Sequence, residues 1–292
     1  MYKFRSSVLS SGVLARLVSV SLVFLGGAAV GFGAQQAPPQ TEEERQARDV
    51  LNKGVQDFNN GQYDEAIAAF RRARELNPQL LNARLYLATA YAAQYIPGAP
   101  SEANQELGRK AVEEFREVLA IDPQNLSAID GIGSIVFQMA GTPYDVEKFK
   151  ESKSYHQKHI EIRPNDAEPY YWVGVIDWML AFHANSELRT RFNEGTPGKH
   201  LNDDEPLPPV LRTQYEQEFG ATIDEGIESM KKAIALRPDY DDAMVYLNLE
   251  YRRKADTVNY QNERDELLKM ADDLVDKVKE IKRRRAEQPS QP

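Results

Sequence analysis

The sequence contains no cysteine. Disulfides, thiolate metal sites, lipid-bearing cysteines and cysteine nucleophiles are therefore excluded. Histidine is scarce, with four in 292 residues, which leaves little from which to build a metal cluster. Basic residues are outnumbered by acidic ones, 36 against 45, for a formal net charge of −9. A general nucleic-acid binder would instead present a basic face. Neither HExxH nor GxSxG occurs. The nearest approach to a phosphate loop is Gly195-Thr-Pro-Gly198-Lys199. It has two residues between the glycines where four are needed, and His200 stands where a Ser or Thr would meet magnesium. No catalytic, cofactor-binding or metal site is expected, and no enzymatic activity.

What is present divides the chain into parts. Residues 1–34 carry only positive charges, at Lys3, Arg5 and Arg16. An apolar run, Leu17 to Phe32, follows and closes on small residues around Gly31 and Gly33. This charged, apolar, small-residue order is that of a secretory signal, with cleavage after Gly33. Two outcomes stand. Cleavage gives an exported protein, periplasmic or otherwise extracytoplasmic. Retention gives an anchor in the inner membrane, although the run is short for a bilayer span. Membrane contact is expected only through this segment. Residues 35–44 form a Pro- and Gln-rich arm, 45–285 the body, and 286–292 a tail expected to be disordered.

The body repeats. Its first motif runs Gly54-Val-Gln-Asp-Phe58-Asn-Asn-Gly61, then Ala66, Phe70, Ala73, Leu76 and Pro78. The 4, 3, 3 spacing of the last apolar residues places them on one helix face. Asn59-Asn60-Gly61 is a turn signal between two helical patterns, and Pro78 cannot continue a helix. Phe115, Val118, Ile121 and Pro123 close a second unit, Ile162 and Pro164 a third, and Met230, Ala233, Leu236 and Pro238 a fourth. A fifth opens with Met244, Leu247 and Tyr251 and ends on a long helix over 262–286. That helix has a Leu267, Ala271, Leu274, Val278, Ile281 stripe, acids at its start and bases at its end, matching the helix dipole.

This pattern closely resembles the tetratricopeptide repeat, a 34-residue helix-turn-helix unit. Gly54, Ala66, Phe70, Ala73, Leu76 and Pro78 match its small, bulky and proline positions, while Asp57 departs at a bulky one. The resemblance implies an all-α, right-handed helical-repeat solenoid of about five units, near 47–80, 81–125, 126–166, 167–240 and 241–285. The proline spacing leaves extra residues within the second, third and fourth units. The largest insertion, 183–220, contains two stretches able to form short helices, Ser186–Asn193 and Val210–Phe219. It reads either as a surface excursion or as a flap over the inner face.

The resemblance also implies a non-catalytic scaffold that binds protein or peptide partners, while the acidic balance argues against nucleic acid as a partner. In such solenoids the first helix of each unit lines the inner face. The matching positions are Leu51, Val55, Phe58, Leu85, Thr89, Asp130, Ser134 and Phe137, then Tyr171, Val175, Trp178, Met179, Val245, Leu249, Arg252 and Arg253. The face is largely apolar and aromatic, as interaction sites are. It lacks the Lys and Asn with which the family's chaperone-tail clamp holds a terminal carboxylate. An alternative role is that of a membrane-tethered assembly subunit docked through 183–220. His156 and His159 lie three apart but at packing positions, and a core role is expected for both.

Overall fold

A computed structural model describes residues 41–196 and 198–287. The signal-like segment, most of the Pro-rich arm and the last five residues lie outside the described residues. Ten α-helices are present among those described: α1 Glu42–Asn59, α2 Tyr63–Leu76, α3 Leu81–Gln94, α4 Glu102–Ile121, α5 Leu126–Ala140, α6 Val146–Ile162, α7 Ala167–Gly195, α8 Pro209–Leu236, α9 Asp241–Lys254 and α10 Gln261–Glu287. Consecutive helices pack in pairs as an all-α repeat fold: α1 with α2, α3 with α4, α7 with α8 and α9 with α10. Two compact parts divide at Gln138 and Met139. None of the described helices is long and apolar enough to cross a membrane.

The four repeat-ending prolines act alike. Helices α2, α4, α6 and α8 each stop two residues before one. The residues between, Asn77, Asp122, Arg163 and Arg237, have left helical geometry, with φ from −129° to −140° and ψ from 80° to 95°. A residue before proline is forced out of the α region in just this way. Each still donates its N–H to the carbonyl four residues back. Each then accepts, through its own carbonyl, a bond from the N–H three residues on (Leu80, Asn125, Asp166 and Tyr240). One turn chemistry thus launches four alternate helices, α3, α5, α7 and α9.

In the first part, α1 is fixed at its start by a capping box. Thr41 Oγ1 accepts from the Glu44 N–H at 3.1 Å, and the Glu44 carboxylate accepts from the Thr41 N–H at 3.0 Å. It ends at the expected turn, where Gly61 adopts φ 76°, a conformation open to glycine at little steric cost. Helix α1 packs on α2, α2 on α3, and α3 on α4. Glu114 of α4 is paired with Arg74 of α2 and, at 3.5 Å, with Arg84 of α3. The extra residues of the second unit form the 95–101 loop and lengthen α4. Buried Asn104 pins this loop, accepting from the Ile96 N–H at 2.8 Å and donating to the carbonyls of Ile96 and Ala99.

In the second part, α6 packs on α7, α7 on α8 and α9, α8 on α9, and α9 on α10. The 183–220 stretch does not form two separate short helices. Ser186–Asn193 is continuous with α7 and Val210–Phe219 with α8, so both helices are nearly twice the usual repeat length. Only 196–208 remains as connection. It is tied to the far end of α7 by Asn193, which accepts from the Leu201 N–H at 2.7 Å, and by Arg189, which donates to the Asn202 carbonyl at 2.6 Å. Arg264 of α10 donates to the Asp204 carbonyl at 3.0 Å. The last helix runs one residue further each way than its stripe predicts, taking in Ala286 and Glu287 of the expected tail. Val278 and Ile281 pack with Met244 of α9. Arg285 is bound to Asp241 at 2.7 Å and to the Asp239 carbonyl at 2.6 Å, so one base of the terminal run closes the α8–α9 turn.

Candidate protein-binding face

The two parts place their inner-face residues differently. In the first, Gly54 lets α1 approach α2: a Cβ there would lie 2.6 Å from Phe70 Cε1. The close approach sinks Leu51 into the core and leaves Val55 and Phe58 half-buried beside it. From α3, Leu85, Tyr86 and Thr89 are also half-buried. Thr89 donates its hydroxyl to the Leu85 carbonyl at 2.8 Å. That bond satisfies its polar atom within the helix. Val55, Phe58, Phe70, Tyr86 and Thr89 line a shallow, open depression. Phe58 meets Tyr63 edge-on at 5.3 Å, and Phe70 meets Tyr86 at 5.8 Å. Asp130, Ser134 and Phe137 of α5 are half-buried as well.

In the second part the expected anchors turn inward. Tyr171, Val175 and Trp178 are buried. Tyr171 packs against Tyr240 at 5.0 Å and Tyr246 at 5.7 Å, and Trp178 against Phe182 at 5.0 Å and Tyr246 at 5.4 Å. Burial raises the Tyr171 hydroxyl well above its ordinary range and raises that of Tyr246 as well. Here the first helices α7 and α9 close on each other through Tyr246, a residue the inner-face positions leave out. Met179, Val245 and Leu249 stay half-buried, with Val245 against the Met244–Val278–Ile281 cluster. Arg252 is engaged from two sides, donating to Asn248 at 2.8 Å and to Asp272 of α10 at 2.6 Å. Arg253 is 3.4 Å from Asp256. Both arginines are thus held by their own fold.

Residues 47–80, which hold the first helix pair and its depression, match the tetratricopeptide-repeat family model. The chain carries a tetratricopeptide repeat. Solved structures extend the likeness to the fold of most of the chain. MamA from Desulfovibrio magneticus RS-1, residue 41 to its end, superposes with a TM-score of 0.53 at 17% identity, over 84% of this chain and 98% of that one. A double mutant of RS-1 MamA gives 0.54 at 16% identity, over 86% and 100%. A further MamA crystal structure gives 0.52 at 16% identity, over 85% and 99%. No curated protein matches the sequence.

The repeat's packing logic holds beyond the matched residues. In the fourth unit a Cβ on Gly174 would lie 2.6 Å from Met230 Cε, as Gly54 faces Phe70 in the first. Helix-packing positions also hold the histidines. His156 is buried and stacks on Trp172 at 5.8 Å, and burial together with His159 pushes its imidazole down to about 3. His159 Nε2 lies 3.1 Å from Asp166 Oδ2. No group of three or more His, Asp or Glu residues able to hold a metal occurs among the described residues.

Two sets of polar residues escaped the repeat pattern because acids and amides in a helical sequence read as solvated. One is Asn185, Arg189 and Asp256, all buried, with Arg189 and Asn185 both donating to Asp256 Oδ2 at 3.3 and 3.2 Å. The other joins Lys153, Asp177 and Glu225: the Lys153 ammonium is 2.5 Å from Asp177 Oδ1 and 2.8 Å from Glu225 Oε2. One signal was available for the second set. Asp177 stands where the repeat expects a bulky residue, as Asp57 does in the first unit.

Proposed function

We propose that this protein is a non-catalytic scaffold that holds a segment of a partner protein against the α1–α3 face. The observation that carries the reading is the depression lined by Val55, Phe58, Phe70, Tyr86 and Thr89. Three first-helix residues at the repeat's inner-face positions contribute to it, and the rings of Phe58 and Tyr86 are half-buried over the buried Phe70. Aromatic side chains of this kind supply large contact area with little loss of conformational freedom, which suits them as binding anchors. The partner is a protein or peptide with an apolar side chain to seat there, in the manner of helices or extended segments laid in apolar grooves. The scaffold acts outside the cytoplasm, a reading supported by the charge and hydropathy order of residues 1–34.

The test pairs two variants. Val55→Asp places a charge in the depression, and Phe58→Ala removes its half-buried ring. Both sites are open enough for the helices to persist, so circular dichroism is expected to be unchanged while proteins co-purifying with the full chain are lost. Unchanged co-purification from both variants overturns the reading. A mature chain beginning near Gln35 supports export by cleavage, and one beginning at Met1 supports the anchor.

A further inference from the structure

Glu250 of α9 is one of two wholly buried acids among the described residues of the second part. It is wholly enclosed, and neither carboxylate oxygen has a hydrogen-bond partner. The room it occupies is made by a glycine. A Cβ built on Gly226 of α8 would collide with Glu250 Oε1, and would lie 2.9 Å from its Cδ and 3.0 Å from the Cβ of Asp177 on α7. Two acids from neighbouring helices therefore converge over one glycine of a third. Asp177 is also wholly buried, and its Oδ2 too has no partner.

The surrounding charges do not neutralise the pair. Lys153 of α6 spends its ammonium on Asp177 Oδ1 and on Glu225. Arg253 of α9 pairs with Asp256. From α8 come Asp224, which is bound by Lys254 at 2.6 Å, Glu225, and Tyr215, whose hydroxyl donates to the Ala181 carbonyl. Arg252 lies two residues along α9, hence on its far side, and binds Asp272 of α10. Of the two acids only Asp177 is touched by a cation, Lys153, while Arg253 draws on Glu250 without bonding to it. An isolated ionised carboxylate in such a place is so unfavourable that it takes up a proton instead. Consistent with this, burial and the neighbouring acid hold Glu250 well above the usual carboxylate range, and burial lifts Asp177 to about 7 against the pull of Lys153.

We propose that Asp177 and Glu250 share one proton in the folded chain, carried chiefly by Glu250, and that its loss at higher pH loosens the packing of α7, α8 and α9. Lys153 assigns the proton, because its contact with Oδ1 stabilises ionised Asp177, whereas neither Glu250 oxygen is in contact with a cation. Both acids hold protons more tightly folded than unfolded. Their stabilising contribution is therefore complete below the unfolded carboxylate range and is lost as pH rises through the folded values.

The experiment is urea unfolding of the full chain from pH 5 to pH 9, comparing wild type with Glu250→Gln. The neutral amide mimics the protonated acid. The ratio of unfolding constants, wild type over variant, is expected to rise by more than about tenfold between pH 5 and pH 8. Taking the ratio cancels the titrating groups that are not coupled to Glu250, leaving the Asp177–Glu250 pair. A ratio constant within about twofold across the range overturns the proposal. Should the variant fail to fold, isotope-edited infrared spectroscopy of labelled glutamate in the wild type gives an independent answer. A protonated carboxyl band at pH 7 that vanishes on unfolding is expected, and its absence overturns the proposal.

Discussion

Gly54 stands so close to Phe70 that a Cβ would lie 2.6 Å from the ring, and Gly174 stands at the same distance from Met230. In each pair a first-helix glycine receives a large residue of the second helix. The two pairs lie in different parts of the chain and do the same work, bringing the helices of one hairpin together. Gly54→Ala is expected to destabilise the first part by about 1–3 kcal/mol, the usual range for overpacking a filled core. Gly174→Ala should be milder, because methionine is flexible and can yield where a ring cannot. Urea midpoints of the two variants check both the sign and the order.

The polar network at the base of α7 carries a second expectation. Asp256 is buried with Arg189, Asn185 and Arg253 around it. Asp256→Ala leaves the buried Arg189 guanidinium without its carboxylate. A loss of about 3–5 kcal/mol is expected, as for breaking one member of a buried ion pair. Because Arg189 also holds the 196–208 connection through Asn202, proteolysis in that connection should quicken in parallel. Unchanged protease resistance would mean that the connection is fixed by other contacts.

Acid should unfold the second part through His156. Its imidazole is buried neutral against Trp172 and pushed down to about 3. A histidine depressed in this way contributes stability that is present above its unfolded value near 6.5 and lost as pH falls towards 3. His156→Gln, of similar size and unable to charge, should flatten the fall in thermal midpoint between pH 6.5 and pH 4. An unaltered acid limb would place the acid sensitivity elsewhere. The Asp177–Glu250 pair acts in the opposite direction over part of this range, so the comparison must be made variant against wild type at each pH.

Much of the fold was legible in the sequence because it depends on local chemistry. Pro78, Pro123, Pro164 and Pro238 each end a helix two residues earlier, and Gly61 makes its turn, because backbone sterics operate whatever the surroundings. The α10 stripe also folded as spaced. What was not legible depended on distant partners. Tyr171 and Trp178 occupy inner-face positions but are buried by Tyr240, Tyr246 and Phe182, which arrive from other turns of the chain. The 183–220 stretch reads in the sequence as an insertion with two separate short helices, because its Gly and Pro cluster breaks the helical spacing. The flanking residues had helical character enough to extend α7 and α8. The buried acids were invisible for a similar reason: a helix periodicity does not say whether Asp177 or Glu250 faces water.

The central claim is that the α1–α3 face meets a partner while the rest of the first part does not. A photo-reactive amino acid placed at position 55 or 89 in the full chain, and as controls at exposed positions 46 and 72, tests it directly in cells. Cross-linking from 55 and 89 to one protein, in preference to 46 and 72, is the result predicted. Adducts equally frequent at all four positions, or none at 55 and 89, would contradict it.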